Sequence, residues 1–138
     1  MENITYPIQG SCQCGSVSYQ LLAPPLKVVA CHCTECQKLS TSAFSLTAFV
    51  DADTVEFTGD MQQWQRTAPN GNLVVGKFCA TCGNRIYHVN PSAPEQLKLK
   101  ASNLSDTRLI KPTVHIWTSE KQQWFTLPED VLVFEQQP

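Results

Sequence analysis

The sequence predicts a mostly-β chain of short antiparallel strands arranged around cysteines, and three observations carry that expectation. Val17, Tyr19 and Leu21 alternate with polar neighbours, and Leu97, Leu99 and Ala101 alternate with Lys98 and Lys100, the period-two pattern of strands with one buried face. Turn-forming residues punctuate the chain at short intervals with no stretch resembling an interdomain linker, as in a small sandwich or open barrel. Seven cysteines fall into three tight groups of two, three and two.

Taken in order, the strand-like runs after Val17–Leu21 are Leu26 to Ala30, Ala43 to Val50, Thr54 to Phe57, Leu73 to Phe78, Arg85 to Val89, Leu97 to Ala101, Val114 to Thr118 and Val131 to Phe134. Each is rich in β-branched, aromatic or aliphatic residues. Pro24-Pro25, Asp51 to Asp53, Gly59-Asp60, Pro69-Asn70-Gly71, Asn90 to Pro94 and Leu127-Pro128 supply the breaks. Short helices fit between the runs. The whole chain, residues 1–138, is expected to form one domain.

Composition excludes several function classes. With 42% hydrophobic and 16% charged residues, the chain is globular rather than disordered. A formal charge of -2, with lysines and arginines spread singly, leaves no basic face for nucleic acid or anionic lipid. No apolar window approaches the ~18 residues of a membrane span, and the start lacks the charged and apolar regions of a signal peptide. A cytoplasmic location is expected, where thiols stay reduced, and an odd cysteine count cannot be consumed by disulfides alone.

Cys12 and Cys14 form C-x-C, Cys31, Cys33 and Cys36 form C-x-C-x2-C, and Cys79 and Cys82 form C-x2-C followed by Gly83. On an extended segment, residues i and i+2 share a side, so each C-x-C presents two sulfurs together. Cys79 to Gly83 reads as a zinc knuckle, with glycine supplying the positive φ such a turn requires. Cys12, Cys14, Cys79 and Cys82 then make a closed, structural four-cysteine zinc site. Cys31, Cys33 and Cys36 would hold a second zinc with one position open, as catalytic zinc requires. Two zincs per chain are expected.

Other partitions stay open. His32, His88 or His115 can complete the second site, although His32 lies between two ligands and should face away, and His88 and His115 read as structural histidines in strands. Three reduced buried cysteines, a redox-sensing thiol cluster, and iron or an iron–sulfur centre are further readings. A zinc held by three thiolates is a weak Lewis acid, better matched to a sulfur nucleophile than to activating hydroxide. Thiol or aldehyde chemistry follows from that.

G-S-C-Q-C-G-S-V-S-Y at positions 10–19, C-H-C-T-E-C-Q-K at 31–38 and K-F-C-A-T-C-G at 77–83 resemble the glutathione-dependent formaldehyde-activating enzyme family, which includes centromere protein V-like members. The likeness continues through P-x2-H-I-W at 112–117, Lys121, Trp124 and Leu127-Pro128. It implies a β-tent fold of small antiparallel sheets, a structural zinc on the first and last cysteine pairs, and a catalytic zinc on the middle three. The implied activity is that of a carbon–sulfur lyase joining glutathione to formaldehyde to give S-(hydroxymethyl)glutathione, or the reverse. Lys77 stands where the family commonly has arginine, and Asn84 where a small hydroxyl residue is frequent; lysine brings charge without the bidentate fork.

The expected partners are therefore a small thiol such as glutathione and a small aldehyde. Lys38, Arg66, Lys77 and Arg85 are candidate carboxylate anchors, and His32 or Glu35 a candidate proton carrier. The alternative is a non-catalytic zinc-stabilised binding module that presents Phe44, Phe49, Trp64, Trp117 and Trp124 to a partner. Exposed strand edges also allow a homodimer.

Overall fold

The computed structural model describes residues 3–138. It holds eleven strands, one α-helix and several 3-10 turns, in two sheets. The smaller sheet is antiparallel, with β1 (Ile8–Ser11), β2 (Ser18–Leu21) and β5 (Val55–Thr58) in the order β1-β2-β5. The larger contains β3 (Lys27–Cys31), β4 (Ser45–Asp51), β6 (Met61–Thr67), β7 (Leu73–Cys79), β8 (Arg85–Val89), β9 (Gln96–Lys100), β10 (Val114–Ile116) and β11 (Leu132–Val133). Its order is β11-β10-β3-β4-β9-β8-β7-β6. The mostly-β expectation holds, with one refinement: β10 runs parallel to both β3 and β11.

The predicted runs appear with ends shifted by one or two residues in most cases, and local chemistry explains the larger shifts. The run beginning at Ala43 starts as a strand only at Ser45, because α1 (Thr34–Ser40) ends at Thr41 in the left-handed conformation, φ 48. The Thr41 and Ser42 amides then return to Lys38 and Gln37 carbonyls, the usual closure of a helix C-terminus. The run ending at Thr118 stops at Ile116, because Trp117 has φ 56. The sequence reading missed β1 and β6. β6 reads Met-Gln-Gln-Trp-Gln-Arg-Thr and is mostly exposed; pairing with β7 over seven residues holds it, not apolar periodicity.

Alternation in the larger sheet separates core from cavity. Val28, Ala48 and Val50, and Leu97 and Leu99 point to one face, where they share a core with Ile8, Tyr19, Leu21 and Val55 of the smaller sheet. Their sequence neighbours Cys31, Ser45, Thr47, Phe49, Lys98 and Lys100 line a cavity instead. Tyr19, 2% exposed, anchors the core and meets Phe57 at a tilt of 50°, and Phe57 in turn meets Tyr87. Among the described residues, no helix is long and apolar enough to cross a membrane.

Gly10 lies directly beneath Tyr19. A Cβ there would sit 2.2 Å from the ring, and the ring is fully packed. Gly10→Ala is expected to lower the stability by about 1–3 kcal/mol, the cost of overpacking a core. Urea unfolding monitored by tryptophan fluorescence reads this as a lower midpoint at unchanged slope; a change below about 0.5 kcal/mol would contradict the packing argument.

Candidate metal centres and cavity

The seven cysteines converge as two groups. The sulfurs of Cys12, Cys14, Cys79 and Cys82 lie within 4.8 Å of one another, and so do those of Cys31, Cys33 and Cys36. All seven thiols are free, and no histidine joins either group among the described residues.

The four-sulfur group joins the turn after β1 to the turn after β7. Cys12 and Cys79 are buried while Cys14 and Cys82 face outward. The Cys12–Cys14 and Cys14–Cys79 sulfur separations are 3.6 and 3.7 Å. A tetrahedral ion with metal–sulfur bonds near 2.3 Å needs sulfurs about 3.8 Å apart, so the donor set fits a metal ion. Backbone amides of Thr81 and Cys82 point at Cys79 Sγ from 3.3 and 3.4 Å, as a knuckle requires, and Gly83 takes φ 78. On the other side the Val17 amide meets Cys12 Sγ at 3.3 Å.

The first pair differs from the extended geometry expected of C-x-C. Cys12 and Cys14 occupy a turn in which the Gly15 amide donates to the Cys12 carbonyl and Gly15 has φ 82. A second knuckle-like turn, not strand alternation, brings these sulfurs together. Ser16 Oγ lies 3.1 Å from both Cys14 and Cys79 Sγ. The Ser16 hydroxyl, with the Cys82 and Thr81 amides, pulls the Cys79 thiol down to about 5, which favours the ligating thiolate. Asn84 clamps the two turns: its Oδ1 accepts from the Gln13 amide at 2.9 Å, and its Nδ2 donates to the Arg85 carbonyl.

The three-sulfur group is built at a strand-to-helix junction. Cys31 ends β3, Cys33 is the N-cap of α1, and Cys36 lies in its first turn, its amide donating to Cys33 Sγ at 3.3 Å. Here Cys31 and Cys33 do lie on extended chain, Cys33 having φ -62 and ψ 152, and the first turn of α1 adds Cys36. Negative charge settles first on Cys36, whose thiol is held far below its ordinary value by Cys31 and Cys33, with Lys100 acting in the same direction. The same sharing pushes Cys31 strongly up.

The two groups differ in what they face. Cys31, Cys33 and Cys36 line a cavity of about 520 Å³, whereas none of the four clustered cysteines borders it. Arg66, Lys98 and Lys100 also line it. Of the four candidate anchors, only Arg66 is there. Lys38 pairs loosely with Glu35 at the surface, Lys77 donates to Gln63, and Arg85 stacks over Trp64 at 4.5 Å. Lys98 and Lys100 were missed as site residues because alternating lysines read as the wet face of a strand.

The histidines take packing positions. His32 is fully buried between Phe44 and Phe125, its Nε2 2.8 Å from His115 Nδ1, which disposes of it as a cavity proton carrier. Burial, with His115, pushes His32 down to about 4. His88 is 6% exposed, borders the cavity, meets Trp64 edge-on, and leaves Nε2 without a protein partner. The proposed aromatic face does not form as one surface: Phe49 and Trp117 line the cavity, Phe44 packs inward and Trp124 is 69% exposed.

Burial pushes His88 down to about 2, with Lys100, Arg85, Arg66 and Lys98 adding like-charge repulsion. Above pH 6.5 both folded and unfolded chains keep this ring neutral. Below it only the unfolded chain gains the proton, so stability falls by up to about 1.4 kcal/mol per pH unit from this group. His88→Gln is expected to flatten the pH dependence of the urea midpoint between pH 6.5 and 4.5; an unchanged slope would show that His88 does not titrate this way.

A family model described as glutathione-dependent formaldehyde-activating enzyme matches residues 7–120. No curated protein matches the chain. A crystal structure of a Rhodobacter sphaeroides protein from structural genomics aligns at a TM-score of 0.52 and 22% identity, covering 70% of this chain and 87% of that one, a likeness of fold. The family match spans all seven cysteines, and the chain belongs to the glutathione-dependent formaldehyde-activating enzyme family.

Proposed function

We propose that the protein is a zinc-dependent carbon–sulfur lyase that adds a thiol, glutathione in the first instance, to formaldehyde or a related small aldehyde, and catalyses the reverse. The observation that carries this reading is that three clustered sulfurs border the large cavity while the other four do not. Cys12, Cys14, Cys79 and Cys82 would hold a structural zinc closed to ligands. Cys31, Cys33 and Cys36 would hold the catalytic one, with the cavity on its open side. Zinc there supplies a Lewis acid that favours the thiolate form of a thiol substrate.

The chain's own residues supply the remainder. The helix N-cap geometry of Cys33 and the first-turn position of Cys36 fix the three sulfurs before substrate arrives, so little ordering is left for the binding step. In the forward direction the thiol loses its proton, the carbon–sulfur bond forms at the carbonyl carbon, and the carbonyl oxygen takes a proton to become the hydroxyl. Glu35 lines the cavity next to Cys36 in sequence and would accept the thiol proton. Glu120 also borders it, but its Oε1 accepts from the Thr34 amide at 2.8 Å and so holds the start of α1. Lys100, its Nζ 3.1 Å from Thr47 Oγ1, offsets the net negative charge that three thiolates leave on a divalent ion.

Elemental analysis is expected to give two zincs per chain, and saturation-transfer NMR to show formaldehyde exchanging with S-(hydroxymethyl)glutathione faster with the protein than without. Cys33→Ser should remove one zinc and reduce exchange to the uncatalysed rate while the chain still unfolds cooperatively. Cys79→Ser should remove the other zinc and cost the cooperative transition, since a structural zinc contributes directly to folding. Two bound zincs with no acceleration of exchange would overturn the lyase reading and favour the binding module.

A further inference from the structure

Sheet register fixes how far each cavity cation stands from the sulfur cluster. Cys31 pairs with Ser45, Thr47 with Lys100, and Phe49 with Lys98. Strands about 4.8 Å apart, rising about 3.4 Å per residue, place the Lys100 Cα roughly 12 Å from the Cys31 Cα and the Lys98 Cα roughly 16 Å away. Both lysines sit two strands over from Cys31 on the same face, at successive cavity-facing positions of β9.

Their partners differ. Lys100 is hydrogen-bonded to Thr47 and lies in the field of the Cys36 and Cys31 sulfurs. Lys98 has no hydrogen bond or carboxylate partner among the described residues; its ammonium rests 5.6 Å from the Phe49 ring, with the Lys27 ammonium 4.8 Å from that same ring. Arg66, on the edge strand β6, also borders the cavity without a carboxylate partner among those residues. The acids that border it, Glu35 and Glu120, are on α1 and after β10 at the sulfur end. One end of the cavity therefore carries sulfurs and acids, and the other carries Lys98 and Arg66, which lack a carboxylate partner among the described residues; the Cys36 sulfur acts on Lys98 only behind burial and the Lys27 ammonium. A partly buried ammonium such as that of Lys98 is costly without a partner, and an incoming anion recovers part of that cost.

We propose that Lys98 and Arg66 bind the carboxylate of a thiol whose sulfur lies at the Cys31–Cys33–Cys36 cluster, and that they select thiols with a remote carboxylate over those in which it adjoins the sulfur. From the sulfur on its central residue, the γ-glutamyl arm of glutathione extends about 10 Å to its carboxylate, which with a lysine side chain spans the roughly 16 Å separation. Mercaptoacetate, with its carboxylate two bonds from sulfur, reaches no further than Lys100. Lys98 and Arg66 are thus specificity-determining residues, and their position rests on the lyase reading only for where the sulfur docks.

The test is binding of glutathione, glutathione diethyl ester and mercaptoacetate to the zinc-loaded protein, followed by Trp64 and Trp117 fluorescence. Glutathione is expected to bind about tenfold more tightly than the diester, the effect of one charge-assisted hydrogen bond. Lys98→Gln and Arg66→Gln should each erase most of that preference while leaving diester affinity unchanged, and Lys98→Arg should restore it. Equal affinity for acid and diester in the native protein would overturn the proposal, as would mercaptoacetate binding as tightly as glutathione. Carboxylate-dependent binding without formaldehyde exchange would sink the lyase reading and leave this one standing. Exchange with an unchanged glutathione KM in Lys98→Gln would overturn this one alone.

Discussion

The period-two alternation of β3, β4 and β9 is the constraint on which both core and cavity depend. Each strand places aliphatic residues against the smaller sheet, and together they place Cys31, Ser45, Thr47, Phe49, Lys98 and Lys100 in the cavity. A one-residue slip of β9 would bury Lys98 and Lys100 in the core and turn Leu97 and Leu99 into the cavity, losing several kcal/mol of apolar burial and stranding two charges. Register between β4 and β9, five paired positions long, is therefore enforced by the core. The cavity inherits its layout from that enforcement at no separate cost.

The four-sulfur cluster acts on a different scale. Cys14 and Cys79 are 65 positions apart, and their turns belong to different sheets, since Cys12 and Cys14 follow β1 and Cys79 ends β7. An ion held there joins the two sheets directly, and joining distant chain positions removes freedom chiefly from the unfolded state. Asn84 reinforces the joint without metal, because its side chain spans from the Gln13 amide to the Arg85 carbonyl and to Asn103. The residue that departs from the family's common small hydroxyl is here a structural clamp, and the family's common arginine position, Lys77, points to Gln63 away from the cavity.

Much of this was legible in the sequence because cysteine spacing and strand alternation are local signals. The two sulfur groups form as the spacing suggests, and His32 faces away from them. What spacing did not convey was mechanism: Cys12 and Cys14 converge through a turn set by Gly15, while Cys36 joins the extended Cys31-x-Cys33 pair through the first turn of α1. β6 escaped notice because an edge strand needs only one partner and little apolar content. Lys98 and Lys100 were visible as an alternating polar face, yet solvent and a charged cavity leave the same pattern in a strand. Only the order β4-β9-β8-β7-β6, which curves Arg66 and the lysines around one space, separates the two. That order depends on pairings tens of residues apart and has no local signature.

The cavity's charge then follows from its neutral members as much as from its cations. His88 sits in the row that pairs Phe49 with Lys98, Lys98 with His88, His88 with Gly76 and Gly76 with Trp64. Gly76 is what admits Trp64 to that row, because a Cβ there would lie 2.5 Å from the indole. The indole edge against His88 and the guanidinium of Arg85 over its face exclude water from the imidazole. A ring so enclosed among cations stays neutral, since a further positive charge would meet both desolvation and repulsion. The field that opposes a proton on His88 favours negative charge anywhere in the same space, the sulfurs of Cys31, Cys33 and Cys36 included. Of these cations Lys100 is the one that acts on the Cys36 thiol, so removing it would be felt first at the sulfurs.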